Sequence, residues 1–337
     1  MNQERYSRQI LFAPIGEEGQ TLLSTKSIVI IGVGALGTVL ANHFVRAGVQ
    51  KVTLIDRDYV EMSNLQRQML YDEDDVNQAL PKAVAAERKL KKINSQIEII
   101  GIVSDVTQKN IESLIQGADL VIDGTDNFKI RFLMNDAAFK LGIPYLYGGA
   151  VGSRGMAALF IPNQTPCLRC FIKEGQSSGE TCDTVGVISP VVDLVASYQA
   201  VEGLKYLVGA TNALHRQLLT FDVWHNHHFH LPFKQADKDC PTCQQKIYPS
   251  LHAMEKETMT SLCGRETVQI HLQEGFDLQD WAKRLEKVAD IQETPFLLRA
   301  TLHNDLKIVL FRDGRTLIQG TEDIAEAKAI YAKYIGM

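Results

Sequence analysis

The chain has 337 residues, of which 45% are hydrophobic and 22% are charged, and this balance is typical of a soluble globular protein. It carries 35 Lys and Arg against 40 Asp and Glu, a net charge of −5, so no basic surface indicates binding to nucleic acid or to an anionic membrane. No apolar run approaches the roughly 20 residues that cross a bilayer, and the polar start lacks the apolar core of a signal peptide. We therefore expect a cytoplasmic protein, and the length predicts two domains.

Residues 1–26 form a polar lead-in that we predict to be helical. Arg5 and Arg8 are three positions apart, so they would share one face of that helix. Composition alone favours a solvated face for this pair.

A buried strand, a glycine turn and a helix start follow directly. The strand Ser27–Ile31 runs into Gly32, Gly34 and Gly37, and Asp56 ends the next strand. Glycines in such a turn let the backbone approach a phosphate, whose charge lies against unpaired N–H groups of the helix. A carboxylate at the end of the second strand can accept hydrogen bonds from a ribose hydroxyl. These features predict a nucleotide site without naming the nucleotide.

The polar segment that begins at Asp56 indicates which nucleotide binds. Asp56-Arg-Asp58 is followed by Ser63-Asn-Leu-Gln-Arg67-Gln68. A dehydrogenase needs no arginine-bearing segment directly after its ribose-binding aspartate. An enzyme that directs attack onto the α-phosphate of ATP does need one, because charge develops there during the reaction.

A lysine at the start of a predicted helix extends the phosphate site. Pro81 is favourable at a helix start, and it places Lys82 in the first turn of the run that ends at Ile93. The helix dipole prefers anions at that end. Lys82 is therefore either solvated or held by a phosphate, and the order of the motifs favours the phosphate.

Carboxylates gather at the end of another predicted buried strand. Asp119–Asp123 leads to Asp126 and Asn127, and ligands of open α/β sheets bind outside the carboxyl ends of the strands. Asp126 is suited to holding Mg²⁺ on a triphosphate, since hard cations take oxygen ligands. It could instead cap the predicted helix Phe128–Leu141, a role that Asn127 can also fill.

The alternation of strands and helices predicts the fold class. Up to Gly149 it indicates a doubly wound, Rossmann-like α/β domain with a mostly parallel sheet. A further strand pair, Met156–Ile161 and Leu218–Trp224, and a long buried helix, Ser189–Leu207, are expected after it. No GxxxxGK[ST] sequence occurs, which excludes a P-loop ATPase.

Two CxxC pairs, Cys167 with Cys170 and Cys240 with Cys243, predict a metal site. Four thiolates suit tetrahedral Zn²⁺, and a site without an open position is structural. In a reducing cytoplasm this pattern indicates a metal more readily than disulfides. His225–His230 is interpreted as surface strand histidines, because no carboxylate or cysteine partner is evident beside it.

The composition changes near residue 250, so we place domains at 1–250 and 251–337. Gln244–Arg265 is interpreted as a linker, and Cys263–Arg265 falls short of a rhodanese active loop. The predicted β-α-β-β-β-α elements of the second domain are Thr267–Leu272, Leu278–Val288, Phe296–Leu302, Leu306–Phe311, Thr316–Ile318 and Ile324–Tyr334. We interpret this small α+β domain as a docking module for a partner protein.

Several motifs in one order resemble the ThiF/MoeB/HesA family, the bacterial relatives of ubiquitin-activating enzymes. The likeness runs from Arg5-Tyr-Ser-Arg8-Gln9 through Asp56–Asp58 and Ser63–Gln68 to about Cys243. It implies an ATP- and Mg²⁺-dependent adenylyltransferase that forms a homodimer. The implied substrate is the C-terminal Gly-Gly carboxylate of a small β-grasp sulfur carrier protein, ThiS- or MoaD-like, of thiamin or molybdopterin cofactor biosynthesis.

The resemblance also implies residue roles. Arg67, Lys82 and a partner's Arg8 neutralise the phosphates, and Asp126 holds Mg²⁺. Cys182 matches the position that links to the sulfur carrier, although a structural cysteine at a helix start is an alternative. The implied nucleotide-binding residues are Gly32, Gly34, Gly37, Asp56, Asp58, Asn64 and Gln68.

Two other classes of protein share part of this pattern. A nicotinamide- or flavin-dependent oxidoreductase would use the same glycine turn and Asp56, but it leaves Arg67, Lys82 and Asp126 unexplained. A non-catalytic zinc-stabilised binding module would explain only the cysteine pairs and the C-terminal part.

Overall fold

The structure, a computed structural model, describes residues 3–173, 182–253, 259–262, 266–271, 275–302 and 306–336. Internal contacts divide the chain into two compact units. The first comprises Met1–Val76 with Pro81–Ala253, and the second comprises Asn77–Leu80 with Met254–Met337. No helix among the described residues combines the length and the apolar character needed to cross a membrane.

The first unit alternates strands and helices along the chain. Its elements are α1 (Gln3–Ile10), α2 (Gly16–Leu23), β1 (Ser27–Ile31), α3 (Ala35–Ala47), β2 (Lys51–Asp56), α4 (Glu73–Asn77), α5 (Lys82–Ile93), β3 (Glu98–Val103), α6 (Ile111–Ile115), β4 (Leu120–Asp123), α7 (Phe128–Leu141), β5 (Tyr145–Val151), β6 (Arg154–Phe160), α8 (Cys182–Val185), α9 (Ser189–Leu207), β7 (Gln217–Asp222) and β8 (His227–Pro232).

These strands form one eight-stranded sheet in the order β3-β2-β1-β4-β5-β6-β7-β8. The pairs from β3 to β5 are parallel, and those from β5 to β8 are antiparallel. The central strand β1 is a continuous apolar run because helices cover both faces of the sheet. The chain order reverses between β1 and β4, so their carboxyl ends flank the switch point at which open α/β sheets bind ligands. The predicted doubly wound fold is confirmed.

The two faces of this sheet carry different helices. Val29 and Ile31 belong to a cluster with residues of α6 and α7, whereas Ile30 faces α3, where its side chain lies near Gly37. The helix α9 packs on α3 and continues over β5 and β6. The predicted strand pair after Gly149 is confirmed as β6 and β7, which pair antiparallel.

His227, His228 and His230 lie exposed on β8, which confirms their interpretation as surface strand histidines, but the expectation that no carboxylate partner lies beside the run was wrong. The Nδ1 atom of His225 lies 2.9 Å from Oδ2 of Asp222, so a carboxylate partner is present. The turn after β7 brings this pair together. Within the described residues, the one cluster of ligand atoms with metal-site spacing consists of cysteines and contains no histidine.

The second unit is an antiparallel sheet with two helices. Its elements are β9 (Met259–Leu262), β10 (Thr267–His271), α10 (Leu278–Leu285), β11 (Ala289–Glu293), β12 (Leu297–Leu302), β13 (Lys307–Phe311), β14 (Arg315–Gln319) and α11 (Ile324–Tyr334). The strand order is β11-β12-β13-β14-β10-β9. Val268, Leu298, Ile308 and Ile318 belong to its buried core.

Two strands of this sheet were not predicted. β9 falls in the expected linker, and its sequence Met-Thr-Ser-Leu has no strong strand pattern. β11 begins at Ala289 after a short turn, because α10 ends at Leu285, whereas we expected a helix to Val288. Pairing with β12 explains β11, and local sequence does not reveal such pairing. The segment Cys263–Arg265, which we compared with a rhodanese loop, lies outside the described residues.

Candidate active site

The glycine turn between β1 and α3 is shaped by crowding of backbone atoms. Gly32 has φ +84°, a left-handed conformation that side chains disfavour. A Cβ atom on Gly37 would lie 1.9 Å from the carbonyl oxygen of Gly32. A Cβ atom on Gly124, just after β4, would lie 2.2 Å from the same oxygen. The turn therefore needs glycine at these positions for packing alone.

Gly34 differs, because open space lies beside it. The nearest atom that its Cβ would meet is Nε2 of Gln68, at 3.7 Å. Gly34 is the N-cap of α3 and offers no side-chain cap to the first N–H groups of the helix. Uncapped N–H groups at a helix N-terminus favour an anion. This side of the turn is where a phosphate group fits.

Asp56 holds the glycine turn by a hydrogen bond. Its Oδ2 accepts from the backbone N–H of Val33 (2.6 Å) and its Oδ1 from that of Asp58 (2.8 Å). Burial raises the pKa of Asp56, while the charge of Lys82 opposes the rise. The carboxylate has lone-pair capacity left for a further donor. Its backbone contacts are additional to the ribose contact that the sequence predicted.

Lys82 is the first residue of α5 and only 5% exposed. Its backbone N–H donates to the carbonyl of Asp58 (2.8 Å), and its Nζ lies 3.5 Å from Asp58 Oδ2. The alternative of a solvated lysine is therefore wrong. A buried ammonium group needs a counter-charge, and Asp58 provides one.

The polar segment after β2 brings Gln68 beside Gly34. Gln68 is 4% exposed, and its Oε1 has no hydrogen-bond partner among the described residues. Asn64 accepts from the N–H of Glu61 (3.1 Å), which fixes the start of the segment. Arg67 donates to the carbonyl of Ser63 (2.9 Å), and in the described part of the chain no carboxylate lies within ion-pair distance of it. Several guanidinium donors of Arg67 are thus available to a ligand.

Asp126 lies on the exposed loop after β4. The N-cap of α7 is Asn127, whose side chain accepts from the N–H of Lys129 (2.8 Å). The alternative in which Asp126 serves as the helix cap is therefore wrong.

A buried network that the sequence pattern did not reveal supports this loop. Asp123 accepts from the N–H of Thr125 (2.8 Å), from its hydroxyl (2.7 Å) and from the hydroxyl of Tyr145 (2.8 Å). Arg131 Nε lies 3.3 Å from Asp123 Oδ2. Burial raises the pKa of Asp123, and the charge of Arg131 opposes the rise.

Arg131 connects this network to the next strand. Its Nη2 donates to the carbonyls of Thr125 (2.6 Å) and Gly148 (3.1 Å), and its guanidinium lies over the rings of Phe128 and Tyr147. The loop that carries Asp126 is thus held from behind by one buried side chain. Asp123 and Arg131 are charged residues next to stretches of apolar residues (Leu120–Ile122 and Phe132–Met134), and a charge beside such a stretch is a signal that it has a buried partner.

Arg8 lies far from these residues within one chain. The helix α1 is fixed by Gln9, which donates to the carbonyl of Ala47 (3.0 Å), and by Arg5, which donates to that of Ile93 (2.8 Å). Ala47 is the last residue of α3, whose N-terminus adjoins the glycine turn. Ile93 is the last residue of α5, whose first residue is Lys82. The 13 residues of α3 span about 20 Å, which separates Arg8 from the glycine turn of its own chain.

The four predicted metal ligands come together. Their Sγ atoms all lie within 4.8 Å of one another, with 3.5 Å between Cys167 and Cys240 and 3.5 Å between Cys170 and Cys243. A tetrahedral ion with about 2.3 Å bonds to sulfur needs sulfur–sulfur distances near 3.8 Å, whereas a disulfide needs about 2.05 Å. The cluster therefore fits a metal ion.

Asp136 of α7 ties both cysteine pairs together and is fully buried. It accepts two hydrogen bonds from Arg169 (2.9 Å each), which lies within the first pair. It also accepts from the hydroxyl of Thr242 (2.6 Å), within the second pair, and from the N–H of Ser250 (2.9 Å). Asp136 was not singled out in the sequence, because its partners are distant in the chain.

Cys182 is the first residue of α8. Its side chain lies outside the described residues, so its link to a sulfur carrier stays a prediction.

Comparison with known proteins agrees with this geometry. The sequence model of the ThiF family matches residues 6–242. The chain belongs to the ThiF family. This membership confirms the resemblance found in the sequence, which also ended near Cys243.

Two relatives and one solved structure describe the likeness further. The sulfur carrier protein ThiS adenylyltransferase of Bacillus subtilis is 48% identical, and the match covers 98% of this chain and 99% of that protein. The enzyme of the same name from Escherichia coli is 34% identical over 71% of this chain and 94% of its own length. The fold resembles that of E. coli MccB crystallised with ATP, with a TM-score of 0.62 at 23% identity, covering 72% of this chain and 75% of that one.

The lengths of these two matches distinguish the two units of the chain. The B. subtilis relative extends over both, whereas the E. coli relative is matched almost to its full length by 71% of this chain. A ThiS adenylyltransferase thus exists without a counterpart of this second unit.

We expect Asp136→Asn to lower the free energy of unfolding by about 3–5 kcal/mol, because it leaves the buried charge of Arg169 uncompensated. Urea unfolding at neutral pH measures this change. The control is Glu112→Gln, which breaks the partly exposed ion pair of Glu112 with Lys140 of α7 (2.8 Å) and should change stability by at most about 1 kcal/mol. Equal effects of the two substitutions would contradict the assigned role of Asp136.

Proposed function

We propose that the protein uses ATP to adenylylate the C-terminal Gly-Gly carboxylate of a small β-grasp sulfur carrier protein, ThiS- or MoaD-like. The observation that carries this proposal is the 48% identity, over nearly the whole length of both chains, to a ThiS adenylyltransferase. The site described above supports it, since helix N–H groups and cations converge at the sheet switch point. The comparisons give no support to an oxidoreductase.

The chemistry explains why this site has the residues it has. A carboxylate is inert to sulfur nucleophiles because its leaving group would be oxide. Attack of a carboxylate oxygen on the α-phosphorus of ATP forms an acyl adenylate and breaks the bond to the bridging oxygen, which leaves with pyrophosphate. Two anions must meet in this step, so positive charge and hydrogen-bond donors have to be in place beforehand.

The residues divide this work between binding and charge stabilisation. The open side of Gly34 and the start of α3 bind phosphate, within the turn formed by Gly32 and Gly37. Arg67 and Lys82 stabilise the charge that develops, and removing one such donor typically costs about 10²–10³ in rate. The remaining nucleotide-binding residues are Asp56 on the ribose, Asn64 and Gln68 on the phosphates, and Asp58, which acts through Lys82.

A divalent cation completes the site. Asp126 is exposed, the N-cap of α7 is Asn127, and a carboxylate oxygen is the ligand that Mg²⁺ prefers. Bound there, Mg²⁺ would supply positive charge beside the triphosphate. Arg131 and Asp123 keep the loop of Asp126 in place.

We expect Mg²⁺-dependent exchange of label between pyrophosphate and ATP in the presence of a carrier with a free Gly-Gly terminus. Exchange follows because the adenylate forms reversibly from these groups. A carrier extended by extra residues after its Gly-Gly terminus is the matched control and should support none. Equal exchange with both carriers would rule out the proposed reaction.

We also propose that the active enzyme is a homodimer in which Arg8 acts on the partner's phosphate site. The separation of α1 from the glycine turn of its own chain supports this arrangement. An exposed arginine on a terminal helix is free to reach a neighbouring subunit.

Mixed dimers test this arrangement. Arg8→Ala and Asp126→Asn should each abolish exchange while leaving the chain folded, because both side chains are exposed. Mixing the two variants should restore about a quarter to a half of the parental exchange, since one site of each hybrid has both native residues. Each variant incubated alone is the control. No recovery in dimers shown to be mixed would place Arg8 outside the partner's site.

Zinc is the metal that we assign to the cysteine cluster. Four thiolates without an open position are typical of structural Zn²⁺, and thiolates persist in the reducing cytoplasm, where we place the protein. The second unit is proposed to dock the carrier protein, in addition to the adenylylation site of the first unit.

We expect one zinc ion per chain by elemental analysis of the reduced protein. Cys240→Ser should lose the metal and part of the folded structure, because the two cysteine pairs then lose the link that a shared ion provides. Cys182 is not one of the four predicted ligands, so Cys182→Ser should keep one zinc. Metal-free parent protein with full stability would contradict a structural zinc site.

A further inference from the structure

Tyr71 lies at the centre of the nucleotide site without belonging to any predicted motif. It is 7% exposed, and its hydroxyl lies 2.7 Å from the carbonyl oxygen of Val33 and 3.1 Å from that of Lys82. The hydroxyl hydrogen is thus shared between two acceptors, one in the glycine turn and one in the first residue of α5. Burial raises the pKa of Tyr71 well above its ordinary value, so the hydroxyl remains a donor at neutral pH.

The two acceptor residues are fixed on both sides. The N–H of Val33 donates to Asp56 (2.6 Å), and its carbonyl accepts from Tyr71. The N–H of Lys82 donates to the carbonyl of Asp58 (2.8 Å), and its carbonyl also accepts from Tyr71. The hydroxyl of Tyr71 therefore joins the glycine turn to the helix that carries Lys82.

Fixing the carbonyl of Val33 has a geometric consequence for Gly34. The peptide bond between them is planar and trans, so the C=O of Val33 and the N–H of Gly34 point in opposite directions. When Tyr71 holds the C=O, the N–H of Gly34 is directed away from Tyr71. At the uncapped start of α3, an N–H group in a fixed direction is a donor prepared for a phosphate oxygen.

We propose that Tyr71 is a positioning residue for the nucleotide, which sets the direction of the Gly34 N–H and the spacing between the glycine turn and Lys82. It acts through these two residues and needs no contact with ATP. The inference rests on the proposed adenylylation, because Lys82 and Gly34 are assigned there to phosphate.

The test is Tyr71→Phe, which removes one oxygen atom and keeps the ring. We expect the dissociation constant of Mg·ATP by calorimetry, and the KM for ATP in pyrophosphate exchange, to rise about two- to tenfold, the range for one lost hydrogen bond. The kcat of exchange should fall as well, because Lys82 loses its fixed position. Thermal unfolding of each variant records the purely structural effect.

Tyr6→Phe is the matched control. Tyr6 is equally buried, and its hydroxyl accepts from Asn94 (2.9 Å) at the other end of α3 and α5. This variant also loses one buried hydroxyl, so its unfolding midpoint should shift comparably while its affinity for Mg·ATP stays parental.

The outcomes separate this inference from the proposed function. A parent protein without pyrophosphate exchange overturns the function, whatever the variants do. A parent with exchange, together with a Tyr71→Phe variant that binds Mg·ATP as tightly as Tyr6→Phe does, overturns the positioning role alone. Equal weakening of nucleotide binding in both variants would also overturn it, because the cause would then be a general loss of stability.

Discussion

The close approach of three backbone segments at the carboxyl ends of β1 and β4 is the constraint on which the rest of the site depends. A single methyl group on Gly37 or Gly124 would lie 1.9 or 2.2 Å from the carbonyl oxygen of Gly32, and no packed core absorbs an overlap of that size. Because these residues meet backbone to backbone, α3 begins directly at the sheet edge. The N–H groups at the start of α3 therefore lie beside the loop of Asp126 and are not capped by a side chain.

One helix, α7, links that edge to the cysteine cluster through two buried ion pairs. Near its start, Arg131 contacts Asp123 and the loop before Asp126. Toward its end, Asp136 contacts Arg169 between the first two cysteines. Buried ion pairs contribute little net stability compared with apolar replacements, so their value here lies in geometry. Each pair fixes a short segment outside the sheet, which places the cysteine cluster and the loop of Asp126 on one rigid element.

Much of the fold could be predicted from sequence because apolar strands, glycine turns and helix starts are local signals. Asn127 as the cap of α7 and the pairing of β6 with β7 are examples that the structure confirms. The buried contacts of Asp123, Arg131 and Asp136 could not be predicted, since their partners are set by tertiary packing. The strand β11 was not predicted for the same reason, because only its pairing with β12 distinguishes it from a loop. The burial of Lys82 likewise depends on Asp58, whose carboxylate approaches it only after folding.

The environment of Lys82 explains how a cationic site can exist before its anionic ligand arrives. A buried ammonium group without a counter-charge carries a large desolvation cost. Asp58 supplies the counter-charge, yet the separation of 3.5 Å between Lys82 Nζ and Asp58 Oδ2 is longer than an ordinary charge-assisted hydrogen bond. The donors of Lys82 are therefore not fully committed to Asp58. In the proposed reaction a triphosphate takes these donors without a large rearrangement, because α5 is already held at its first residue by Asp58 and Tyr71. Asp58 supplies the counter-charge and the backbone keeps the position of α5, so the proposed phosphate binding changes only the hydrogen bonds of the Lys82 side chain.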